Sequence, residues 1–569
     1  MTATDTHTET HAAEGAMDAP QGGDGLYRLV ASNDHKMVGR LWIGASLLFL
    51  LAIAVLGVAT DLERADADAF GIFGSVTKYF QGWVLFRTGI IFMVVMPLFI
   101  GIASVIVPLQ VGSASIAFPR LAAASFWGWL FAAGVHVASF LADGGLGPSV
   151  GTRNEGTLLT IVSLGFMIVA LLASSVCIAT TVVALRPAGM TLLRVPTFAW
   201  SMLVATSVWL FSLPVLLANL IYSYVDLYHW GPSETEEGVA IIRDPIAFGN
   251  PDELWASVEW AWSQPQIYAY AIPVLGILGD VVPVAAKQRQ ANRPVLLSFI
   301  GVFGLLSFGA WAQSFLSRGS DPAFQTATNA ADRGNFIYDE FLYIAFGIAV
   351  FLPVFAAFGG VMDTIRRGSA PKPGAGLLGA ISGALLLLGA TIVGEIRVIP
   401  LWDALHLDNV LLSSSTAQLG MIAAASIAAS VGALAHWGPK IFGGYVVEPL
   451  AMMASLALLG AGLILGVTNL LSAFEGQPDV RVADVGSSLV DTMNVVSVAG
   501  MALLALGGLL VIGATIPASR SSEQLPDDPW DGHTLEWACP SPPPVGNFVE
   551  PLETITSSEP LLDEFEEVS

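Results

Sequence analysis

The chain has 569 residues, 54% of them apolar and 12% charged, with a mean hydropathy of +0.68. Soluble domains carry about 25% charge, so the composition excludes a soluble globular protein and assigns an integral membrane protein. The formal net charge of −23 argues against nucleic acid as a partner, because a phosphate backbone is bound through a basic surface.

Residues 1–25 are polar and acidic and read as a disordered leader. The first apolar run opens only near Val38, which does not fit a cleavable signal peptide. Twelve apolar runs follow, at about 38–60, 83–109, 121–143, 157–185, 196–224, 255–283, 294–317, 337–362, 376–398, 409–435, 445–471 and 489–516. Such runs, about 20 residues or longer, cross a core ~30 Å thick as helices, whereas barrel strands are half that length and alternate. The expected fold is an all-α, twelve-helix transmembrane domain over 26–518, followed by an acidic tail over 519–569. No internal repeat stands out, so an inverted-repeat transporter is not favoured.

Arg120, Arg186, Arg194, Lys287, Arg289, Arg293, Arg366, Arg367, Lys372 and Lys440 fall in even-to-odd loops, and Arg520 follows the last run. The opposite loops are acidic, as between Asp226 and Glu259. The positive-inside rule then places both termini in the cytoplasm. From Ser521 to Ser569 there are acids and no Lys or Arg, which reads as a solvated arm. The two cysteines, Cys177 and Cys539, offer neither a disulfide framework nor a paired metal motif.

The stretch Trp260-Ala-Trp-Ser-Gln-Pro-Gln-Ile-Tyr268 lies in the sixth run. A proline there frees a backbone carbonyl and bends the helix. Tryptophans, glutamines and a tyrosine beside it are too polar for a lipid-facing span, and belong in a bundle interior or a cavity. Further motifs are Ser32-Asn-Asp-His-Lys36, Pro97-Leu-Phe-Ile-Gly101, Val107-Pro-Leu-Gln-Val-Gly112, Ala117-Phe-Pro-Arg-Leu121, His436-Trp-Gly-Pro-Lys440 and the tail segment Asp528 to Pro544. Together, in this order and spacing, they resemble subunit I of the haem-copper oxidases, the cytochrome c oxidase catalytic subunit, from about residue 26 to 565.

That resemblance implies two haems and one copper held by six intramembrane histidines, for which imidazole suits both metals. The chain has eight histidines, and only His136 and His436 lie in or at spans. At the family's ligand positions stand Phe86, Ala417 and Leu419 for the haems, and Gln264, Gln313 and Ser314 for copper. The family's propionate-clamping arginines correspond to Asp479 and Val480, and carboxylates there would repel propionates. Its proton-path residues correspond to Ser115, Gln266 and Ala357. Tyr268 remains, but the family joins that tyrosine to a copper histidine, and here the partner is Gln264. Gln keeps size and hydrogen bonding but is a poor haem or copper ligand. Neither haem nor copper is expected, and the chain reads as a pseudoenzyme.

Gln264, Gln313 and Tyr268, with Trp260, form either a satisfied polar cluster or a residual pocket for a small molecule or ion. Phe86 reads as filler of a haem slot, and Arg87 as a residue snorkelling to the interface. The small residues from Ala417 to Ala429 either let the tenth span pack closely or leave a void for lipid or quinone. His136 and His436 read as structural, and Met93, Met96 and Met421 as span filler. The expected role is a non-catalytic, multi-pass subunit in a prokaryotic plasma membrane. It would join a respiratory complex beside subunit II- or III-like chains or a catalytic subunit I. The alternatives are the family's own oxidase activity, and a protein binding quinone, lipid or an ion in the vacated cavity.

Overall fold

The computed structural model describes residues 32–146, 155–229, 232–236, 239–242, 254–313, 341–398, 414–478, 486–521 and 524–563. Among them are twelve helical segments long and apolar enough to cross a membrane. These are α1 (His35–Ala65), α2 (Val76–Gln110), α3 (Pro119–Leu141), α4 (Glu155–Ala184), α5 (Thr197–Val225) and α6 (Gln266–Ala286). They continue with α7 (Arg293–Ala312), α8 (Phe341–Arg367), α9 (Ala375–Val398), α10 (Ser415–Ile441), α11 (Glu448–Phe474) and α12 (Ser488–Arg520). A short antiparallel hairpin, Pro232–Glu236 with Val239–Ile242, follows α5. The fold is the all-α, twelve-helix membrane bundle that hydropathy led us to expect.

Side-chain chemistry fixes several helix starts. The carboxylate of Asp34 accepts from the Lys36 N–H at 3.1 Å and caps α1. The Ser75 hydroxyl does the same for α2 at the Lys78 N–H. Within α2 the backbone widens to a π turn over Ile90–Val95, just before Pro97. In that pattern the carbonyl of Phe92 would be answered by residue 97, which as proline has no N–H. The indole of Trp129 on α3 supplies the missing donor at 2.8 Å.

α2 and α10 are buried along their whole apolar windows and α6 nearly so, while α8 is the least buried span. These three helices form the centre, and they carry or adjoin most of the positions singled out above. In lipid, helices gain little from hiding apolar surface and associate through close packing of small residues. α9 and α10 do this: a Cβ added to Gly379 would lie 2.4 Å from the backbone nitrogen of Gly432, and one on Gly383 2.7 Å from the Ala425 carbonyl. The small residues of the tenth span thus serve backbone-to-backbone contact along this face.

Two sequence expectations are corrected. The stretch Trp260 to Tyr268 is not part of a bent α-helix. It comprises two 3-10 turns, Glu259–Trp262 and Gln266–Tyr270, joined through an extended Ser263, and regular helix begins only at Ile272. Nor do residues 524–563 form a solvated arm. Leu535, Trp537, Cys539 and Ile555 are buried against the bundle. Asp531 pairs with Lys287 at 2.9 Å, and Asp563 with Arg289. Lys440 of α10 donates to the carbonyls of Asp527 at 2.8 Å, Pro540 at 3.5 Å and Cys539. Asn547 is fully buried, donating to the Ser113 carbonyl at 2.7 Å and meeting His35 and Lys36 at 3.2 Å. Two of the tail's carboxylates, Asp531 and Asp563, thus meet basic loops of that end, which a count of tail charge alone could not show.

Candidate functional site

The centre of the molecule holds a hydrogen-bonded triad. Gln264 precedes α6, Tyr268 lies in its first 3-10 turn, and Gln418 projects from α10. Tyr268 Oη donates to Gln264 Oε1 at 3.2 Å, with the Ala390 carbonyl a second acceptor at 3.5 Å. Gln418 Nε2 donates to Tyr268 Oη at 2.6 Å and to Gln264 Oε1 at 3.1 Å. Gln264 Nε2 donates in turn to the carbonyl of Gly394 on α9 at 3.2 Å. All three side chains are buried. A Cβ on Gly394 would fall 1.9 Å from Tyr268 Oη and 2.4 Å from Gln264 Oε1. The glycine therefore makes room for the triad, and α6, α9 and α10 meet on it.

Gln313 is not part of this group. Its Oε1 accepts from Asn219 Nδ2 at 2.9 Å, and the same amide donates to the Ser257 carbonyl at 2.9 Å. Gln418 takes the third place instead. Sequence reasoning passed over it because it lies between Ala417 and Leu419, the two positions being compared. The available signal was a lone amide in an otherwise small and apolar stretch. Gln266 is also engaged, donating to Ser212 Oγ at 2.9 Å and accepting from the Gly309 N–H at 3.0 Å.

Trp260 is 1% exposed, and its indole nitrogen has no partner among the described residues. Gln418 Oε1 is likewise buried and without a partner among them. Trp262 belongs to an aromatic cluster, stacked on Trp255 at 5.2 Å and edge-on to Phe92 at 5.6 Å. Trp255 meets Trp83 at 5.4 Å, and the Arg87 guanidinium lies 3.9 Å above the Trp83 ring. Arg87 does not snorkel as expected: it is 2% exposed and donates to Ser415 Oγ at 3.0 Å and Thr416 Oγ1 at 2.6 Å, at the start of α10. Hydroxyls and an aromatic face inside the bundle hold its charge there.

Do the residues at the positions that the family resemblance would give to metal fit haem or copper? Phe86 is buried, with its ring edge 2.8 Å from where a Cβ on Gly57 would stand. Ala417 and Leu419 are buried and carry no donor atom. Met421 is wedged between α9 and α11, its Cε 2.4 Å from a Gly389 Cβ position and its sulfur 2.4 Å from that of Gly466. Both nitrogens of His136 are engaged by hydroxyls, Thr88 Oγ1 at 3.2 Å and Ser163 Oγ at 3.1 Å. Among the described residues no three His, Cys, Asp or Glu converge. This donor set of neutral amides and a phenol does not fit either metal group. Ser314, Asp479 and Val480 lie outside the described residues.

A second buried polar group lies at the end of the bundle that carries the C-terminal segment. Gln110 Nε2 donates to Asp280 Oδ2 at 2.8 Å and to Glu536 Oε1 at 3.1 Å. Asp280 accepts from the backbone N–H groups of Thr197 and Phe198 at 2.8 and 2.9 Å, where α5 begins. Trp437 Nε1 also reaches Glu536 Oε1, at 3.2 Å. Burial first, and then the nearby Asp280 carboxyl, push Glu536 up to about 7.

Known proteins resemble this chain along nearly its whole length. The family model for cytochrome c and quinol oxidase polypeptide I matches residues 37–503. Cytochrome c oxidase subunit 1 of Corynebacterium diphtheriae is 27% identical, covering 99% of this chain and 97% of that protein. Its counterpart in Bacillus subtilis is 25% identical, covering 95% and 83%. A solved structure of a haem-copper terminal oxidase dimer superposes with a TM-score of 0.60 at 12% identity, over 86% of this chain and 84% of that one, and shares the fold. With twelve apolar helices and bacterial relatives, this is a multi-pass protein of a prokaryotic plasma membrane. The family model spans well over half of the sequence, and the chain belongs to the cytochrome c and quinol oxidase polypeptide I family.

Proposed function

We propose that this chain is a non-catalytic member of its family, a pseudo-oxidase that serves as a structural subunit or paralogue in a respiratory complex. The observation that carries this reading is the closed Gln264–Tyr268–Gln418 triad. It ties the start of α6 to α10 through neutral hydrogen bonds, and one of its members, Gln264, stands where the family resemblance calls for a copper-binding imidazole. Phe86, Ala417 and Leu419 extend the same substitution to the haem side. The relatives are named as subunits of an oxidase, which supports partners of the subunit II or III kind, or a catalytic subunit I. The basic residues in even-to-odd loops support cytoplasmic termini.

The rival reading is cytochrome c oxidase activity, which the relatives' names favour. An absorption spectrum of the purified protein, with haem and copper quantified on the same sample, separates the two. The expected result is no α or Soret band and no copper. Stoichiometric haem would overturn the proposal and send attention to His136, His436 and the methionines. Affinity purification from the native membrane is expected to recover other respiratory subunits, and recovery of the chain alone, stable and at normal yield, counts against the assembly role.

A further inference from the structure

A cavity of about 790 Å³ opens at the end of the bundle where the C-terminal segment docks. One side of it is the start of α9, Gly374 to Leu377, and another is α6 around Val281 and Val284. The first N–H groups of a helix lack intrahelical acceptors, and the helix dipole adds partial positive charge there. The first turn of α9 holds no acidic residue of its own, and Glu448 Oε1 stands 3.3 Å from where a Cβ on Gly374 would be, so a carboxylate from α11 already lies beside this helix start.

A second observation points to a ligand. His436 of α10 lines the same cavity and is 7% exposed, and neither ring nitrogen has a hydrogen-bond partner among the described residues. A Cβ on Gly376 would stand 3.6 Å from His436 Cβ, so the histidine lies directly beside the helix start. Lys287 and Lys372 line the cavity too, and among the described residues its one lining carboxylate is Glu448. The pairing of Lys287 with Asp531 is between two side chains each 66% exposed, a kind that contributes little and can rearrange. Trp530 and Tyr445 complete the rim, as aromatic residues do where one side of a site is apolar and the other wet.

We propose that this cavity binds the headgroup of a zwitterionic membrane lipid of the aminophospholipid class. Its phosphate meets the α9 N-terminus, His436 and the two lysines, and its ammonium meets Glu448. The acyl chains run along Val281, Val284 and Leu377. Those apolar walls select an amphiphile over a soluble phosphate.

The test is titration of the full-length protein in detergent, read by native mass spectrometry. The probes are dioctanoyl phosphatidylethanolamine, dioctanoyl phosphatidylglycerol and inorganic phosphate. The expected result is saturable binding of the ethanolamine lipid, weaker binding of the glycerol lipid, and none of phosphate at matched concentration. K287Q/K372Q, which removes both lysines and with Lys287 its pair with Asp531, is expected to weaken ethanolamine-lipid binding about tenfold, or ~1.4 kcal/mol. His436→Phe, which keeps a ring against Trp437 and Trp537, is expected to weaken it as well. Binding of phosphate as tight as that of lipid, equal binding of the two lipids, or an unchanged affinity in K287Q/K372Q overturns the proposal.

Discussion

Gln418 Nε2 donates to Tyr268 Oη across 2.6 Å, and this contact joins α10 to the first turn of α6 at the core of the bundle. It also places Gln418 within reach of Gln264, so a single amide serves two acceptors. Losing a buried partner leaves the remaining groups desolvated and unanswered, which costs ~1–3 kcal/mol. Gln418→Ala is expected to lower the thermal unfolding midpoint in detergent. Gln264→His, by contrast, is expected to recruit no copper, measured by metal analysis, because one imidazole does not make a three-nitrogen site.

Gly394 is expected to be intolerant of any side chain. A methyl at its Cβ position would stand 1.9 Å from Tyr268 Oη, and overpacking of a filled core costs ~1–3 kcal/mol. Gly394→Ala therefore destabilises, and adding Tyr268→Phe, which removes the clashing oxygen, restores part of the loss. Additive effects in the double variant would show that the two residues do not meet as described.

The π turn of α2 makes a separate prediction. Trp129→Phe keeps the ring contacts of Trp42 and Phe126 but removes the donor to the Phe92 carbonyl. Stability is expected to fall by ~1–3 kcal/mol, the scale of an orphaned buried carbonyl. A change within a few tenths of a kcal/mol would mean that the carbonyl finds another partner.

Docking of the C-terminal segment should depend on pH. Glu536 sits at about 7 when docked, against an ordinary value of 4.5. A carboxyl held above its unfolded value binds more protons in the docked state, so its contribution is complete below pH 4.5 and is lost as pH rises through about 7. Limited proteolysis of residues 524–563 is thus expected to accelerate between those values. Glu536→Gln, which stays neutral, should flatten the profile. Lys440→Met should raise cleavage at every pH, since it removes a cation from three tail carbonyls.

Hydropathy and charge made the twelve spans legible, because a span must satisfy its own backbone and therefore leaves a long apolar signature. That only two of eight histidines lie in or at spans could be counted directly. What sequence did not reveal was pairing. Gln418 looked like a spacer between Ala417 and Leu419, and Arg87 looked like an interface residue until Ser415, Thr416 and the Trp83 ring came around it. The break from helix to 3-10 turns between Glu259 and Tyr270 was also hidden, since an apolar run reports burial and says little about how the chain coils.

The docked C-terminal segment also orders events in time. Asn547 is held by the entrance of α1, Ile555 by the stretch between α4 and α5, and Asp563 by Arg289 ahead of α7. These partners are synthesised before the residues that answer them. A ribosome that stalls after α12 leaves the Arg289 guanidinium and the buried Lys440 ammonium without their described tail partners. Closure of that face therefore waits until the chain has been made through Asp563.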